Sequence, residues 1–389
     1  PIGLSDLTRY SLFFMEIALV HDWLNQLGGA EAVLETLVQM YPRAPIYTSI
    51  YWRDEMPPQY LNWDIHPTWL NRAPGIYQHH QPYFALYPSS WETLNLSRYD
   101  VVLSNKSGFC HGVRTHARRR SALHICYCLA PTRYVWSFDE YASGEGLGRA
   151  ARLAMRPLIA ALKQWDYRAA QQVDHFIAIS REIQDRITKY YHRDSIVIHP
   201  PVDIRRYKPQ AEVRDYYLIV SRLIPYKRID LAIQAFNELG LPLVIAGSGR
   251  DQTRLEKLAK PNVQFLGRVP DADLPDLIAR ARGFIFPGHE DFGIAPVEAQ
   301  ASGRPVIAYG AGGALDTVID GQTGVFFNEV TIESLIDAVQ RFNRIDFDPA
   351  VIRANAECFS TEVFQQKLTH YIEERYAEFI DTHHATRNT

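Results

Sequence analysis

HEDFGIAPVEAQASGRPVIA, residues 289–308, sets two carboxylates, Glu290 and Glu298, eight positions apart across a Phe-Gly-Ile turn and the start of a helix. The run before it, GFIFPG (283–288), has the continuous apolar character of a buried strand, and Ala295 to Ser302 reads as a helix closed by Gly303. The order is therefore strand, loop, helix, with Glu290 in the loop and Glu298 inside the helix. At that helix start the backbone N–H groups of Gly293 and Ile294 lie at the positive end of the helix dipole, a setting that favours an anion. A phosphate held there has a carboxylate on either side. Carboxylates are poor partners for an anion, so we assign them to hydroxyl groups. A diphosphate carrying a ribose at one end and a hexose at the other, a nucleotide sugar, fits that description. The competing reading is a solvated loop acid beside a helix-surface acid.

Outward from this stretch the pattern is that of two successive α/β units. After HPPVDIRRYKP (199–209), a stiff connector with three prolines, short apolar runs alternate with helical segments: YYLIV, LVIAG, VQFLG, GFIFPG, PVIA and GVFF. Before it, IALV (17–20), VVL (101–103), LHICYC (123–128), HFIAI (175–179) and IVI (196–198) read as strands of a parallel sheet. AEAVLETLVQM (30–40) has helical apolar spacing, and the helical run 147–171 meets Pro157, which kinks it or begins a new helix. The stretch 42–99, rich in Pro, Trp, Tyr and His, shows little periodicity and reads as a loop-heavy insertion. The expected division is an extension at 1–14, a first Rossmann-like domain at 15–200, a linker at 201–209, a second at 210–360, and a C-terminal helix and tail at 361–389.

A second constellation, SRLIPYKRID (221–230), follows YYLIV directly. Arg222 and Lys227 then stand outside the carboxyl end of a strand, where open α/β sheets bind ligands. A guanidinium fork and a compact ammonium together neutralise a diphosphate. As charge grows on a departing diphosphate their stabilisation grows with it, which lowers the barrier. Gly247, Ser248 and Gly249 follow LVIA. Their G-S-G lacks the third glycine of a dinucleotide fingerprint but suits a tight turn that brings backbone near a nucleotide. In the first unit, Gly28 and Gly29 follow the first strand and open a helix, so a phosphate or sugar can approach closely there, and His21 and Asp22 end that strand. A simple loop and helix start is the alternative.

Composition agrees with a two-domain enzyme. A chain of 389 residues is too long for one core, and 47% apolar residues supply two. No apolar stretch reaches the length of a membrane span. The four cysteines (Cys110, Cys126, Cys128, Cys358) lack zinc spacing; with no export signal a reducing cytoplasm fits, and Cys126 and Cys128 read as buried small hydrophobes. The net charge of -3 is uneven: residues 1–200 carry 20 Lys/Arg against 18 Asp/Glu, and residues 201–389 carry 21 against 26. Arg98 to Arg120 holds six basic residues and one acid. This local patch is no nucleic-acid-binding composition; it reads either as a solvated loop or as a contact with a membrane or anionic acceptor.

The run 289–308 resembles the paired-glutamate motif of retaining glycosyltransferases of the GT-B fold, family 4 type, through Glu290, Phe292, Gly293, Glu298, Ala299, Gly303, Pro305 and Val306. Arg222 and Lys227 match that family's phosphate-binding pair, and VQFLGRV its base-binding edge. The resemblance runs from Met15 over nearly the whole chain. It implies two Rossmann-like doubly wound parallel-sheet domains facing a central cleft, with Gly28, Gly29, His21 and Asp22 lining it and the last helix crossing back to the first domain. It further implies metal-independent transfer of a hexose with retained configuration, through a front-face, oxocarbenium-like step in which the leaving phosphate takes the acceptor proton. Glu290, Arg222 and Lys227 are then catalytic. Gly28, Gly29, Gly247, Ser248, Phe292, Gly293, Ile294 and Glu298 bind the donor, with Glu298 on the ribose.

LHICYCLAPTRYVW (123–136) resembles the branch that builds bacterial surface polysaccharides, with mannosyl- and glucosyltransferases in front. Leu129 replaces a histidine that contacts the transferred sugar in many relatives, and Ser107 stands where some have His. Lys106, His124 and Arg133 are the candidates for a compensating first-domain sugar contact. The expected donor is GDP-mannose or UDP-glucose and the expected acceptor a lipid-linked saccharide. No metal or other cofactor and no nucleic acid is expected. The location is cytoplasmic, at the inner face of a membrane, with peripheral contact through residues 98–120 and the aromatic-rich region nearby. A nucleotide-sugar epimerase and a catalytically inactive nucleotide-sugar-binding scaffold are the alternatives from other classes.

Overall fold

The computed structural model describes residues 15–117, 121–139, 142 and 148–387, with side chains described to residue 382. The expected extension at 1–14 and three cations of the basic patch, Arg118, Arg119 and Arg120, lie outside the described residues.

Seven short strands form the first sheet: β1 (Ile17–His21), β2 (Ile46–Thr48), β3 (Ile65–Pro67), β4 (Val101–Lys106), β5 (Leu123–Cys128), β6 (His175–Ala178) and β7 (Ser195–Val197). Every pairing is parallel, in the order β3-β2-β1-β4-β5-β6-β7. Six more form the second: β8 (Tyr217–Val220), β9 (Leu243–Ala246), β10 (Val263–Gly267), β11 (Gly283–Phe286), β12 (Val306–Tyr309) and β13 (Gly324–Phe327). These too are all parallel, in the order β10-β9-β8-β11-β12-β13. Parallel neighbours need long crossovers, and most of these carry helices. Strand order reverses between β1 and β4 in one sheet and between β8 and β11 in the other. Those two reversals are where open α/β sheets leave a crevice at the carboxyl ends.

The chain divides into two compact units. The first holds the described residues up to Ile179, Ile183–Ile198, and the chain from Phe364 onward; the second holds Ser180–Glu182 and His199–Val363. The C-terminal helix, Thr361–Arg387, joins the first unit from Phe364, whose ring meets that of Tyr127 with centroids 5.5 Å apart. The 199–209 segment is no bare connector. Val202, Ile204 and Tyr207 are buried in the second unit, and the Val202 N–H donates to the Phe359 carbonyl.

Two expectations change. The stretch 42–99 supplies β2 and β3, each three residues long and too short for a period to show. Its aromatic rings are largely core rather than surface: Tyr60, Tyr87 and Trp91 are fully buried, and Phe84 packs on Tyr134. The second is that Pro157 starts no new helix, because Arg149–Ala170 runs through it. Cys126 and Cys128 are buried, as expected, and none of the cysteines is in a disulfide. Among the described residues no helix is long and apolar enough to cross a membrane.

Candidate nucleotide-sugar site

The second unit gathers its charged residues at the reversal between β8 and β11. Leaving β8, the chain passes Ser221, Arg222 and Leu223, turns through a short 3-10 segment at Pro225–Lys227, and enters the helix Ile229–Leu239 through Arg228. Arg228 sits in the left-handed region (φ 53°), a strained choice for a side chain with a Cβ, immediately beside Lys227. Leaving β11, the chain passes Pro287 to Glu290 and enters the helix Ile294–Ala301. The backbone of Gly288 lies against that of Lys227. The two loops are thus in contact, and the Lys227 ammonium donates to a Glu290 carboxylate oxygen in a half-buried ion pair, each side chain 16% exposed. Arg222 stays exposed and reaches the Tyr226 hydroxyl at 3.4 Å.

Three glycine-bearing loops hold this arrangement. Gly293 takes φ +87°, and a Cβ there would press on the Phe286 ring at 2.7 Å; the helix N-terminus can start where it does because the residue is glycine. Gly247, at φ +140°, lies so close to the Ser221 carbonyl that a Cβ would fall 1.9 Å from it. The Gly247-Ser248-Gly249 turn therefore packs against the β8 loop, and the Ser248 carbonyl accepts from the Leu223 N–H at 2.9 Å. Its first task is to shape the loop that carries Arg222 and Lys227. The third loop escaped the sequence reading: the Gly313 N–H donates to the Glu290 carbonyl at 2.8 Å, fixing the Glu290 backbone from the end of β12. The signal was present as Gly-Ala-Gly-Gly at 310–313, directly after a strand.

Glu298 lies one turn into its helix. Burial pushes its carboxyl above the ordinary range, a rise opposed by a hydrogen bond from Tyr207 and by the charge of Arg206. Tyr207 was not singled out from sequence, because a tyrosine in a proline-rich connector gives no sign of which way it turns. Phe292, assigned to the donor, is corrected: its ring is buried, stacked on His199 (5.5 Å, 25°) and packed on Phe359, so its side chain anchors the loop.

In the first unit the strand ends are closed inward. Asp22 is 1% exposed and accepts from the backbone N–H groups of Ser107 (2.6 Å), Gly108 (2.5 Å) and Cys110 (2.8 Å). Three aligned amides form a nest for the carboxylate and tie the end of β1 to the loop after β4. His21 is equally buried, between Glu31 (3.4 Å) and Asn105 (3.2 Å). Neither lines an open surface, which corrects the expectation for both. Gly28 and Gly29 are exposed at the start of the helix Gly29–Met40, as a close-approach site requires.

The three compensating candidates separate. Lys106 is fully buried, donating to the Ala130 carbonyl and the Thr132 hydroxyl, both at 3.2 Å. Burial pulls its pKa down, but Asp166 first, then the neighbouring thiols and Asp22, more than offset this and leave it raised. It is a scaffold cation. His124 is the second residue of β5, at the amino end and away from the carboxyl-end crevice. It bonds Ser104 at 3.0 Å, and burial drives its pKa down to about 3, so it stays neutral. Both are corrected as sugar contacts. Arg133 is exposed at the start of the helical turn Arg133–Trp136. Leu129 is half-buried, its N–H donating to the Lys106 carbonyl at 2.7 Å. The basic patch thins out too, since Lys106 is internal and Arg98 donates to the hydroxyls of Tyr47 and Tyr99.

Known proteins agree with this architecture. The family described as Glycosyltransferase Family 4 matches residues 27–206, and the one described as Glycosyl transferases group 1 matches residues 203–357. A GDP-mannose-dependent alpha-(1-6)-phosphatidylinositol monomannoside mannosyltransferase of Mycolicibacterium smegmatis is 29% identical over 239 residues, 53% of this chain and 60% of that protein. The O-antigen chain mannosyltransferase RfbU of Salmonella typhimurium is 28% identical over 204 residues, 46% of this chain and 58% of that one. The chain thus spans little more than half the length of these curated relatives. Among solved structures, Anabaena HepE in complex with UDP superposes with a TM-score of 0.67 at 19% identity, over 92% of this chain and all of that one, a likeness of fold. Two family matches laid end to end over residues 27–357, on two parallel sheets that each reverse at their centre, place the chain among the glycosyltransferases of the GT-B fold, family 4 type.

Proposed function

We propose that the chain transfers a hexose from a nucleoside diphosphate donor to the hydroxyl of a saccharide acceptor in surface or exopolysaccharide assembly, with retention of anomeric configuration. The observation that carries this reading is the meeting of Lys227, Glu290 and the N-terminus of the Ile294–Ala301 helix at one sheet reversal. Lys227 and Glu290 neutralise each other there. A diphosphate accepted by Lys227 and Arg222 competes with Glu290 for the ammonium and frees the carboxylate to take hexose hydroxyls. The N–H groups of Gly293 and Ile294 then hold phosphate or sugar oxygens, and Glu298 takes the ribose hydroxyls. As the anomeric carbon–oxygen bond breaks, charge on the departing phosphate rises and its attraction to Lys227 and Arg222 rises with it. The acceptor oxygen bonds to the anomeric carbon on the same face, and its proton passes to the departing phosphate oxygen. The cationic pair supplies the leaving-group stabilisation that a metal ion gives elsewhere, so transfer is proposed to be metal-independent.

The relative named as GDP-mannose-dependent supports GDP-mannose as the first donor to try beside UDP-glucose, and the phosphatidylinositol monomannoside in its name supports a lipid-linked saccharide as the first acceptor to try. The test is a panel of both donors with lipid-linked saccharides, the product anomer being read by NMR. The expected result is transfer with retained configuration that survives excess EDTA. Absence of both transfer and donor hydrolysis with every donor defeats the reading; loss with EDTA, restored by Mg²⁺, defeats the metal-independent part.

A further inference from the structure

Tyr226 meets both of the cations assigned to the diphosphate. It is 46% exposed and is not among the side chains packed on the core of the second unit. Single exposed apolar side chains are common on protein surfaces, so exposure alone carries little. Its neighbours carry more. The Arg222 guanidinium donates to the Tyr226 hydroxyl at 3.4 Å, and the Lys227 ammonium lies 5.4 Å from the centroid of the Tyr226 ring. One phenol thus meets one cation with its oxygen and the other with its face.

The backbone ties that phenol down on both sides. Pro225 restricts the turn before it, and the Lys227 and Arg228 N–H groups donate to the carbonyls of Ile224 and Pro225, both at 3.1 Å. Arg228 follows in the left-handed region, and upstream Leu223 is fully buried with its N–H on the Ser248 carbonyl. Two like charges on one short loop repel each other unless something between them offsets the repulsion. Lys227 has Glu290, but in the proposed donor complex the diphosphate draws the ammonium off that carboxylate. The ring face attracts a cation through its quadrupole and stays beside the ammonium when Glu290 lets go.

We propose that Tyr226 is a positioning residue for diphosphate recognition: its hydroxyl and ring hold Arg222 and Lys227 together, so that both meet one diphosphate. The inference rests on the proposed assignment of those two cations and adds the group that makes them a pair. Tyr226 acts through them, so its effect belongs to diphosphates and depends on Arg222 being present.

The experiment is calorimetric titration of the full chain with GDP, UDP and inorganic pyrophosphate, beside GMP, UMP and orthophosphate. Tyr226→Phe keeps the ring and removes the anchor of Arg222. It weakens diphosphate binding roughly fivefold, as for one lost hydrogen bond, and monophosphate binding less. Tyr226→Leu removes the ring as well and weakens the diphosphates about threefold further. Both variants alter an exposed side chain and keep the melting temperature of the wild type. Arg222→Gln takes away the cation that the hydroxyl holds, so adding Tyr226→Phe to it changes diphosphate affinity little. Tyr226→Phe and Tyr226→Leu proteins that bind diphosphates as the wild type does, beside an Arg222→Gln protein that does not, overturn the proposal. Full additivity of Tyr226→Phe and Arg222→Gln overturns it too. Arg222→Gln and Lys227→Ala proteins that keep the wild-type preference for diphosphates over monophosphates defeat the assignment of the cation pair itself, and this inference with it.

Discussion

Each unit reverses its strand order once, and the two reversals handle their charged residues in opposite ways. At β1 and β4 the polar side chains are spent on the protein itself: Asp22 on three amides, His21 on Glu31 and Asn105, Lys106 on Ala130 and Thr132. At β8 and β11 Arg222 is exposed, and Lys227 and Glu290 keep a face to solvent. Topology places polar residues at both crevices, but burial decides whether they build the loop or stay open to solvent. A fully buried charge whose partners are fixed backbone groups is costly to redirect. A partly exposed ion pair between two flexible side chains exchanges partners more readily.

That contrast breaks or sharpens under mutation. The largest effect is expected for Asp22→Ala, which leaves three amides at the end of β1 without their acceptor. It should lower stability by about 3–5 kcal/mol, as for removal of one partner of a buried charge, while donor affinity of the remaining folded protein is unchanged. Urea unfolding read beside calorimetric donor binding checks both halves; a stable Asp22→Ala protein with weakened donor binding would invert the contrast. Lys227→Ala should do the reverse, costing about 1–3 kcal/mol of donor affinity for a charged hydrogen bond with little change in melting temperature. Equal donor affinity in wild type and variant counts against the assignment of the diphosphate.

The smallest effect is a pH slope from Glu298. Its folded pKa is raised by burial, so the protonated carboxyl is the form the fold favours. The stability it contributes is present below the ordinary carboxylate pKa and is lost as pH rises through the raised value. Melting temperatures of the wild type should therefore fall relative to Glu298→Gln across that window, and run parallel above it. A flat difference from pH 4 to pH 7 would show that the carboxyl is not strained by burial.

Most of the strands were legible because short apolar runs bounded by Gly and Pro leave few other readings; β9, β11 and β12 follow that pattern. β2 and β3 were not, since three residues carry no period and both sit among prolines. The positions of Arg222, Lys227 and Glu290 were legible because they follow a buried strand by a few residues, on loops that open a helix at the carboxyl edge of the sheet. The first-unit roles were harder. Nothing in the identity of Asp22 says that three amides of a loop 85 positions on will enclose it. His124 is a different case: its place at the amino end of LHICYC already put it at the wrong edge of the sheet. Phe292 shows the limit of transferring a motif whole, because one run mixes a residue that keeps a face to solvent, Glu290, with residues that anchor the loop.

The most direct measurement is backbone hydrogen exchange, read by mass spectrometry, with and without saturating GDP-mannose or UDP-glucose. Peptides covering 221–228 and 288–298 should gain protection as the diphosphate and sugar engage the loops after β8 and β11. Peptides covering 101–110, already held by Asp22, should change least. A donor that binds yet leaves both second-unit loops exchanging as before, with protection confined to 101–110, would contradict the account.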